Sequence, residues 1–162
     1  MAEIGLVLFA RVALEVAAAV LPPYRTRFSK HQFTQPQLLA ILCLMRYEDW
    51  TYREAEVRLR EHGELRRAVG LRRVPDHTTL YRFLCRLPPA ALAAALAEVV
   101  RRFPRRGRAR VAVDATGLSR GAVSTFFVRR MHHHTHKPLP WRHWLKWLVV
   151  VDIDQHLLLA QA

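Results

Sequence analysis

The apolar positions in the first part of the chain repeat with the three- to four-residue spacing of amphipathic helices. Residues 4–20 combine Ala, Leu and Val with charges at Arg11 and Glu15, which a four-residue spacing places on one face. Pro22 and Pro23 follow and end this segment. Because charges interrupt the apolar run, we predict a buried or amphipathic helix rather than a signal peptide or a membrane span.

Start signals divide the next region into further helices. A helix over 34–46 begins at Thr34 and Pro36, and a helix over 51–62 begins with a capping box of Thr51 and Glu54 and ends at Gly63. A short helical segment follows at 64–69. The last two helices are 76–87, which begins at Asp76, and 89–102, which begins at Pro88 and Pro89. Three short helices with a glycine turn and a capped last member are similar to a helix-turn-helix arrangement. A plain helical bundle is the alternative.

The segment opened by Asp76 would be the recognition helix of such an arrangement. The residues that it would present to a DNA groove are His77, Thr78, Tyr81 and Arg82. In a plain bundle the same polar face would only be solvated.

A run with the two-residue period of a strand follows in the last third of the chain. Val111 and Val113 fall on one face and Asp114 on the other, and Thr116 and Gly117 end the run. We therefore expect Asp114 near the carboxyl end of a short buried strand.

Two more strands are predicted at 145–153 and 156–160, joined into a hairpin by a tight turn at Asp154 and Gln155. Asp152 and Asp154 share a strand face in this prediction. We place both outside the candidate site, because turn chemistry accounts for Asp154 and an edge position accounts for Asp152.

The predicted fold class is therefore α+β. A helical, helix-turn-helix-like domain over 1–103 is followed by a basic linker at 104–110, where Pro and Gly break regular structure. The first strands of a mixed sheet occupy 111–162.

Arginine makes the chain strongly basic. It has 26 Lys and Arg residues against 13 Asp and Glu, a formal net charge of +13, and only three of the 26 are Lys. This charge predicts a polyanionic partner, double-stranded DNA before a membrane. A GC-rich genome would also raise the arginine content, and that alternative stays open.

Two basic segments are expected to contact DNA phosphates. Their residues are Arg105, Arg106, Arg108 and Arg110 in the linker, and Arg129, Arg130 and Lys137 beyond the first strand. The aromatic residues between these two segments are suited to stack on unpaired DNA bases; the alternative is that they pack on the sheet.

The histidines of 132–136 lie too close along the chain to converge on one zinc ion, so we interpret them as a polar surface near DNA.

Cys43 and Cys85 lie within apolar helical patterns and have no metal-type spacing. They indicate reduced core residues of a cytoplasmic protein.

Asp114 is the one acidic residue between 101 and 146. A buried, ionised carboxylate needs a cationic partner, either a basic side chain or a metal ion. A single acid in a basic field suits a metal-dependent phosphoryl-transfer site. The alternative is an Asp that caps the turn after a strand, bound to the Thr116 and Gly117 amides.

The wider sequence resembles a known family. Val-Asp-Ala-Thr-Gly at 113–117 and the run Trp-Leu-Lys-Trp-Leu-Val-Val-Val-Asp-Ile-Asp from Trp144 resemble the opening of the catalytic domain in bacterial insertion-sequence transposases of the DDE type. Pro-Asp-His-Thr-Thr-Leu-Tyr-Arg-Phe at 75–83 is similar to the segment that precedes that domain. The resemblance implies an RNase H-like fold, Asp114 as the first catalytic Asp and metal ligand, Mg²⁺ as the ion and transposon ends as the DNA.

In that family a second Asp and a Glu follow later strands, and no acid follows the predicted hairpin here. We therefore expect a truncated or split reading frame that binds Mg²⁺ weakly. It would be the DNA-binding N-terminal portion of a transposase, inactive without its missing C-terminal half. That half or a full-length transposase would be its protein partner. The alternative is a non-catalytic DNA-binding fragment or regulator of transposition.

Overall fold

The structure is a computed structural model that describes residues 5–28, 30–103, 110–118 and 145–161. It confirms the α+β class, with six helices followed by a three-stranded antiparallel sheet in these ranges. The elements are α1 Leu6–Val20, α2 Gln35–Tyr47, α3 Tyr52–Glu61, α4 Gly63–Ala68, α5 His77–Arg86, α6 Pro89–Arg102, β1 Val111–Leu118, β2 Leu145–Asp152 and β3 Leu157–Gln161.

The chain divides into two compact units, Met1–Val99 and Val100–Ala162. The division falls inside α6. The predicted basic linker lies outside the described residues except for Arg110.

The central helix of the first unit is α2. Eight of its 13 residues are buried, so other helices must cover it on several sides. α1, α3 and α5 pack against it, and Ile41 and Leu44 are fully buried at the centre. This apolar helix is the core around which the shorter helices are arranged.

Two reciprocal capping boxes begin α2 and α3. The box at Thr51 was predicted, whereas at Thr34 only the helix start was predicted. In the first, Gln37 N donates to Thr34 Oγ1 (3.3 Å) and Thr34 N donates to Gln37 Oε1 (2.9 Å). In the second, Glu54 N donates to Thr51 Oγ1 (3.2 Å) and Thr51 N donates to Glu54 Oε2 (2.7 Å). Each box satisfies two amide groups at a helix end that would otherwise lack a partner.

The glycine that stops a helix is Gly70, not Gly63. α3 ends at Glu61, and Gly63 is already the first residue of α4. Gly70 has a left-handed φ of +67°, and its amide and that of Leu71 donate to the last carbonyls of α4 as in a Schellman motif. The prediction for Gly63 was wrong because the conformation of a glycine depends on where the chain turns next.

Gln37 also joins the two helix ends. Its Nε2 donates to the Gly70 carbonyl at 2.7 Å, while its Oε1 remains in the capping box. One side-chain amide therefore fixes the beginning of α2 against the end of α4.

The strands form an antiparallel meander in the order β1-β2-β3. Val111 lies opposite Asp152 and Asp114 lies opposite Val149. A register shift between Val150 and Val151 interrupts the pairing of β2 with β3.

The predicted end of the first strand was wrong. β1 continues through Thr116 and Gly117 to Leu118, so Asp114 is the fourth of its eight residues. The strand is not buried in its described part either, since Val113 is 62% exposed. The two-residue period identified the strand, but whether other elements cover a strand cannot be read from its own residues.

No single helix in the described ranges is long and apolar enough to cross a membrane. α5 and α6 taken together reach the required length and composition, but a bend of 92° separates them.

Gln37→Glu is expected to lower the free energy of unfolding by about 1 kcal/mol, measured by urea denaturation. The carboxylate can still accept from Thr34 N, but it cannot donate to the Gly70 carbonyl. Glu54→Gln at the matching position of α3 is the control, with an expected change below about 0.5 kcal/mol. Equal stability of Gln37→Glu and the wild type would show that the bond to Gly70 contributes nothing.

Candidate nucleic-acid interface and carboxylate site

Asp76 begins α5, as predicted. Its Oδ1 accepts a hydrogen bond from Thr79 N (2.8 Å) and its Oδ2 accepts one from Thr79 Oγ1 (3.1 Å). The Thr78 hydroxyl also donates to Oδ1. The hydrogen bonds from Thr78 and Thr79 stabilise the ionised carboxylate and lower the pKa of Asp76 to about 2.

A second carboxylate, Glu56 of α3, reaches the same helix end. Its Oε2 accepts from His77 N at 2.9 Å and lies 2.9 Å from His77 Nδ1. Its other oxygen pairs with Arg60. These hydrogen bonds from His77, with the Arg60 charge, hold the pKa of Glu56 below its usual value.

The first turn of α5 is therefore a poor position for a phosphate group. Two carboxylates already satisfy its amides and offset the positive end of the helix dipole. Sequence reasoning missed Glu56, because it lies 21 residues before His77 and no local pattern joins the two.

The four predicted recognition residues differ in their surroundings. The His77 ring contacts Glu56, and the Thr78 hydroxyl is bound to Asp76. The Tyr81 ring lies edge-on to Tyr52, with centroids 5.8 Å apart, and a hydrogen bond with the Cys85 thiol raises the pKa of Tyr81. Arg82 is exposed, and its guanidinium has no ion pair or hydrogen bond to another described residue.

The connection before α5 also bears on the helix-turn-helix prediction. Eight residues, from Val69 to Asp76, separate α4 from α5. A helix-turn-helix motif has a turn of about three to four residues. The DNA-reading role of α5 therefore stays a prediction, with Arg82 as its best placed residue.

Cys43 is half-buried, and burial raises the pKa of its thiol. Cys85 is exposed and does not belong to the core, contrary to the prediction. Its helical face points away from the apolar stripe formed by Leu80 and Phe83.

Arg110 is paired with an acid rather than left free. Its Nε lies 3.1 Å from Asp154 Oδ1 and 3.3 Å from Oδ2, and a second guanidinium nitrogen also contacts Oδ1. This pair raises the pKa of Arg110 and lowers that of Asp154. A phosphate at Arg110 would have to compete with the Asp154 carboxylate.

The roles predicted for Asp152 and Asp154 were wrong. Asp152 is 3% exposed at the end of the central strand, and its Oδ1 accepts from the amides of Asp154 (2.9 Å) and Gln155 (3.0 Å). Asp152 therefore caps the turn, and Asp154 instead binds Arg110. The turn spans 153–156 with a positive φ at His156, so it is longer than the two residues expected.

Asp114 is exposed, and its Oδ1 accepts a hydrogen bond from the next amide, Ala115 N, at 2.8 Å. The register places Asp152 opposite Val111, an odd number of residues from Asp114. Because side chains alternate along a strand, Asp114 and Asp152 lie on opposite faces of the sheet. Asp152 cannot complete a site at Asp114.

A magnesium site needs several oxygen ligands, of which Asp114 can provide one. Among the described residues, no three His, Cys, Asp or Glu side chains come together to hold a metal ion. The exposed carboxylate fits the role of a single ligand for a hard cation.

The other predicted contacts lie outside the described residues, namely Arg105, Arg106, Arg108, Arg129, Arg130, Lys137 and the histidines of 132–136.

Residues 13–86 match the family model described as Transposase domain (DUF772). The matched segment begins within α1 and ends with α5. No curated protein and no solved structure matches the sequence. The family match supports a transposase-related protein with a role in transposition, and it concerns the helical unit.

The pH dependence of stability should report the Asp76 cap. Because the folded-state pKa of Asp76 is about 2 and the ordinary value is 3.8, the cap stabilises fully above about pH 4 and is lost as the pH falls through 2. Asp76→Asn keeps an acceptor for Thr79 N and cannot titrate. Urea denaturation should show the wild type losing more stability than Asp76→Asn between pH 5 and 2, while parallel losses would show that Asp76 does not act as described.

Proposed function

We propose that this chain is the DNA-binding N-terminal portion of a DDE transposase, acting in DNA transposition by metal-dependent phosphodiester cleavage and strand transfer. The observation that carries the proposal is the match of residues 13–86 to a transposase domain. The resemblance of Val-Asp-Ala-Thr-Gly around Asp114 to the opening of a DDE catalytic domain extends it to the sheet.

DNA binding is supported by charge. The chain carries a net +13, and exposed arginines occur on both units, so the phosphate backbone would supply most of the affinity. Arg110 is held by Asp154, so the linker residues before it would make the stronger phosphate contacts.

An RNase H-like catalytic domain is supported by the position of Asp114 on the first strand of an antiparallel meander. In the proposed site the exposed Asp114 carboxylate holds one Mg²⁺ ligand position and nearby basic residues hold the DNA phosphates. Bound divalent ions would activate a water or a 3′-hydroxyl group and stabilise the leaving oxygen. Two further carboxylates would have to join Asp114 from outside the described residues.

A non-catalytic DNA-binding fragment or regulator of transposition is the second candidate. The specific observation in its favour is that, among the described residues, Asp114 belongs to no group of three His, Cys, Asp or Glu side chains that could hold a metal ion. Such a protein would bind transposon ends without cleaving them.

The salt dependence of DNA binding tests the linker. Replacing Arg105, Arg106, Arg108 and Arg110 by Ala should reduce the slope of log affinity against log salt concentration by roughly 3, at about 0.9 for each free phosphate contact. Arg110→Ala alone should change it by less than one such contact, because Asp154 already binds this side chain. Fluorescence anisotropy with a duplex at several salt concentrations measures the slope for both variants. An unchanged slope in the fourfold variant would show that the linker does not contact DNA phosphates.

Asp114 separates the two candidate functions. With a polypeptide that supplies a second Asp and a Glu, the chain should cleave or join DNA strands in Mg²⁺, and Asp114→Ala should abolish this activity while DNA binding persists. Asp154→Asn removes another exposed carboxylate of the sheet unit and should leave cleavage intact. Cleavage that survives Asp114→Ala would remove Asp114 from the site, and no cleavage under any condition would favour the regulator.

A further inference from the structure

A cleft of about 330 Å³ opens on the helical unit, between the connection before α2 and one face of α5. Three cationic side chains line it, Arg25 and Lys30 from the connection and Arg86 from the last turn of α5. Among the residues that the structure describes, no acidic side chain lines it. Asp76, the cap of α5, binds the Thr79 hydroxyl at the cleft wall, and its oxygens already accept hydrogen bonds there.

The cations of this cleft are available to a ligand. Arg25, Lys30 and Arg86 are exposed, and none of them forms an ion pair with a described residue. Arg86 Nε donates to the Arg82 carbonyl at 2.9 Å. This bond holds the guanidinium against the helix and leaves its two terminal NH₂ groups for an anion.

Aromatic side chains also line the cleft. Tyr24 stacks on His31 with ring centroids 4.1 Å apart and planes 9° from parallel. Phe33 and Phe83 line the cleft as well and pack in or against the helical core. Cations beside aromatic rings are the combination by which proteins bind unpaired nucleotides.

None of the four predicted recognition residues of α5 lines the cleft. Thr79, Phe83 and Arg86 follow one another at the four- and three-residue spacing of a single helix face. Glu56, whose carboxylate accepts a hydrogen bond from the His77 amide in the first turn, does not line the cleft.

We propose that this cleft binds one unpaired nucleotide of a DNA strand, with its phosphate on Arg25, Lys30 and Arg86 and its base against Tyr24. The inference rests on the proposed DNA-binding function and adds a preference for unpaired DNA. The volume is at the lower end of the roughly 300 to 1,000 Å³ of small-ligand sites, which gives room for one nucleotide but not for a base pair. A base inside a duplex has no free face to offer to Tyr24.

The test compares labelled single-stranded DNA, the same sequence as a duplex, and the duplex with an unpaired 3′ extension, by fluorescence anisotropy with the full chain. The cleft variant is Arg25→Ala, Lys30→Ala and Arg86→Ala. The control variant, Arg11→Ala, Arg53→Ala and Arg73→Ala, removes the same charge from exposed positions elsewhere on the helical unit. The cleft variant should reduce the salt slope on single strands by roughly 2, at about 0.7 per contact, and the control by clearly less.

Tyr24 tests the base contact. Tyr24→Leu, which keeps an apolar side chain but no aromatic face, should weaken binding to the single strand and to the 3′ extension by about tenfold and leave the duplex unchanged. Tyr24→Phe should bind like the wild type. Circular dichroism of each variant verifies the helical fold.

Equal losses in the cleft and control variants would overturn the proposal, because net charge alone would then explain binding. Equal losses of duplex and single strand in Tyr24→Leu would overturn it as well. A wild-type chain that binds none of the three DNAs would instead refute the proposed DNA-binding function.

Discussion

One side-chain amide connects two helix ends of the helical unit. Gln37 closes the capping box at the start of α2 and binds the carbonyl of Gly70 at the end of α4. Because Gly70 sets the direction in which the chain leaves α4, this bond also influences where the connection delivers Asp76 and hence where α5 begins. The buried α2 supplies the apolar core, and Gln37 fixes which helix ends meet beside it.

Charge is distributed unevenly around α5. Glu56 and Asp76 occupy its first turn, whereas Arg86 stands at its last turn, where a cation suits the helix dipole. A polyanion would therefore approach the later part of the helix and the basic connection before α2. In the proposed function, an approach to DNA led by the amino end of α5 would bring phosphates against these two carboxylates.

Features set by neighbouring residues could be predicted from the sequence, and features set by distant ones could not. The starts at Thr34, Thr51 and Asp76 depend on groups three residues away, so their patterns sufficed. The bond between Glu56 and His77, and the exposure of Asp114, depend on how elements pack. The Asp-x-Asp at the hairpin was ambiguous, because the turn length decides which carboxylate faces the turn amides.

Among the described strands, β1 has one edge that pairs with β2 and one that pairs with no other described strand. A strand added along that second edge would place its side chains about 5 Å from those of β1, and alternate ones would share the face of Asp114. The binding of such a strand would then extend the sheet and bring further carboxylates beside Asp114 in a single step. A site assembled in this way would appear in proportion to the occupancy of the edge, so its activity would follow the concentration of the strand donor by mass action rather than the concentration of metal alone.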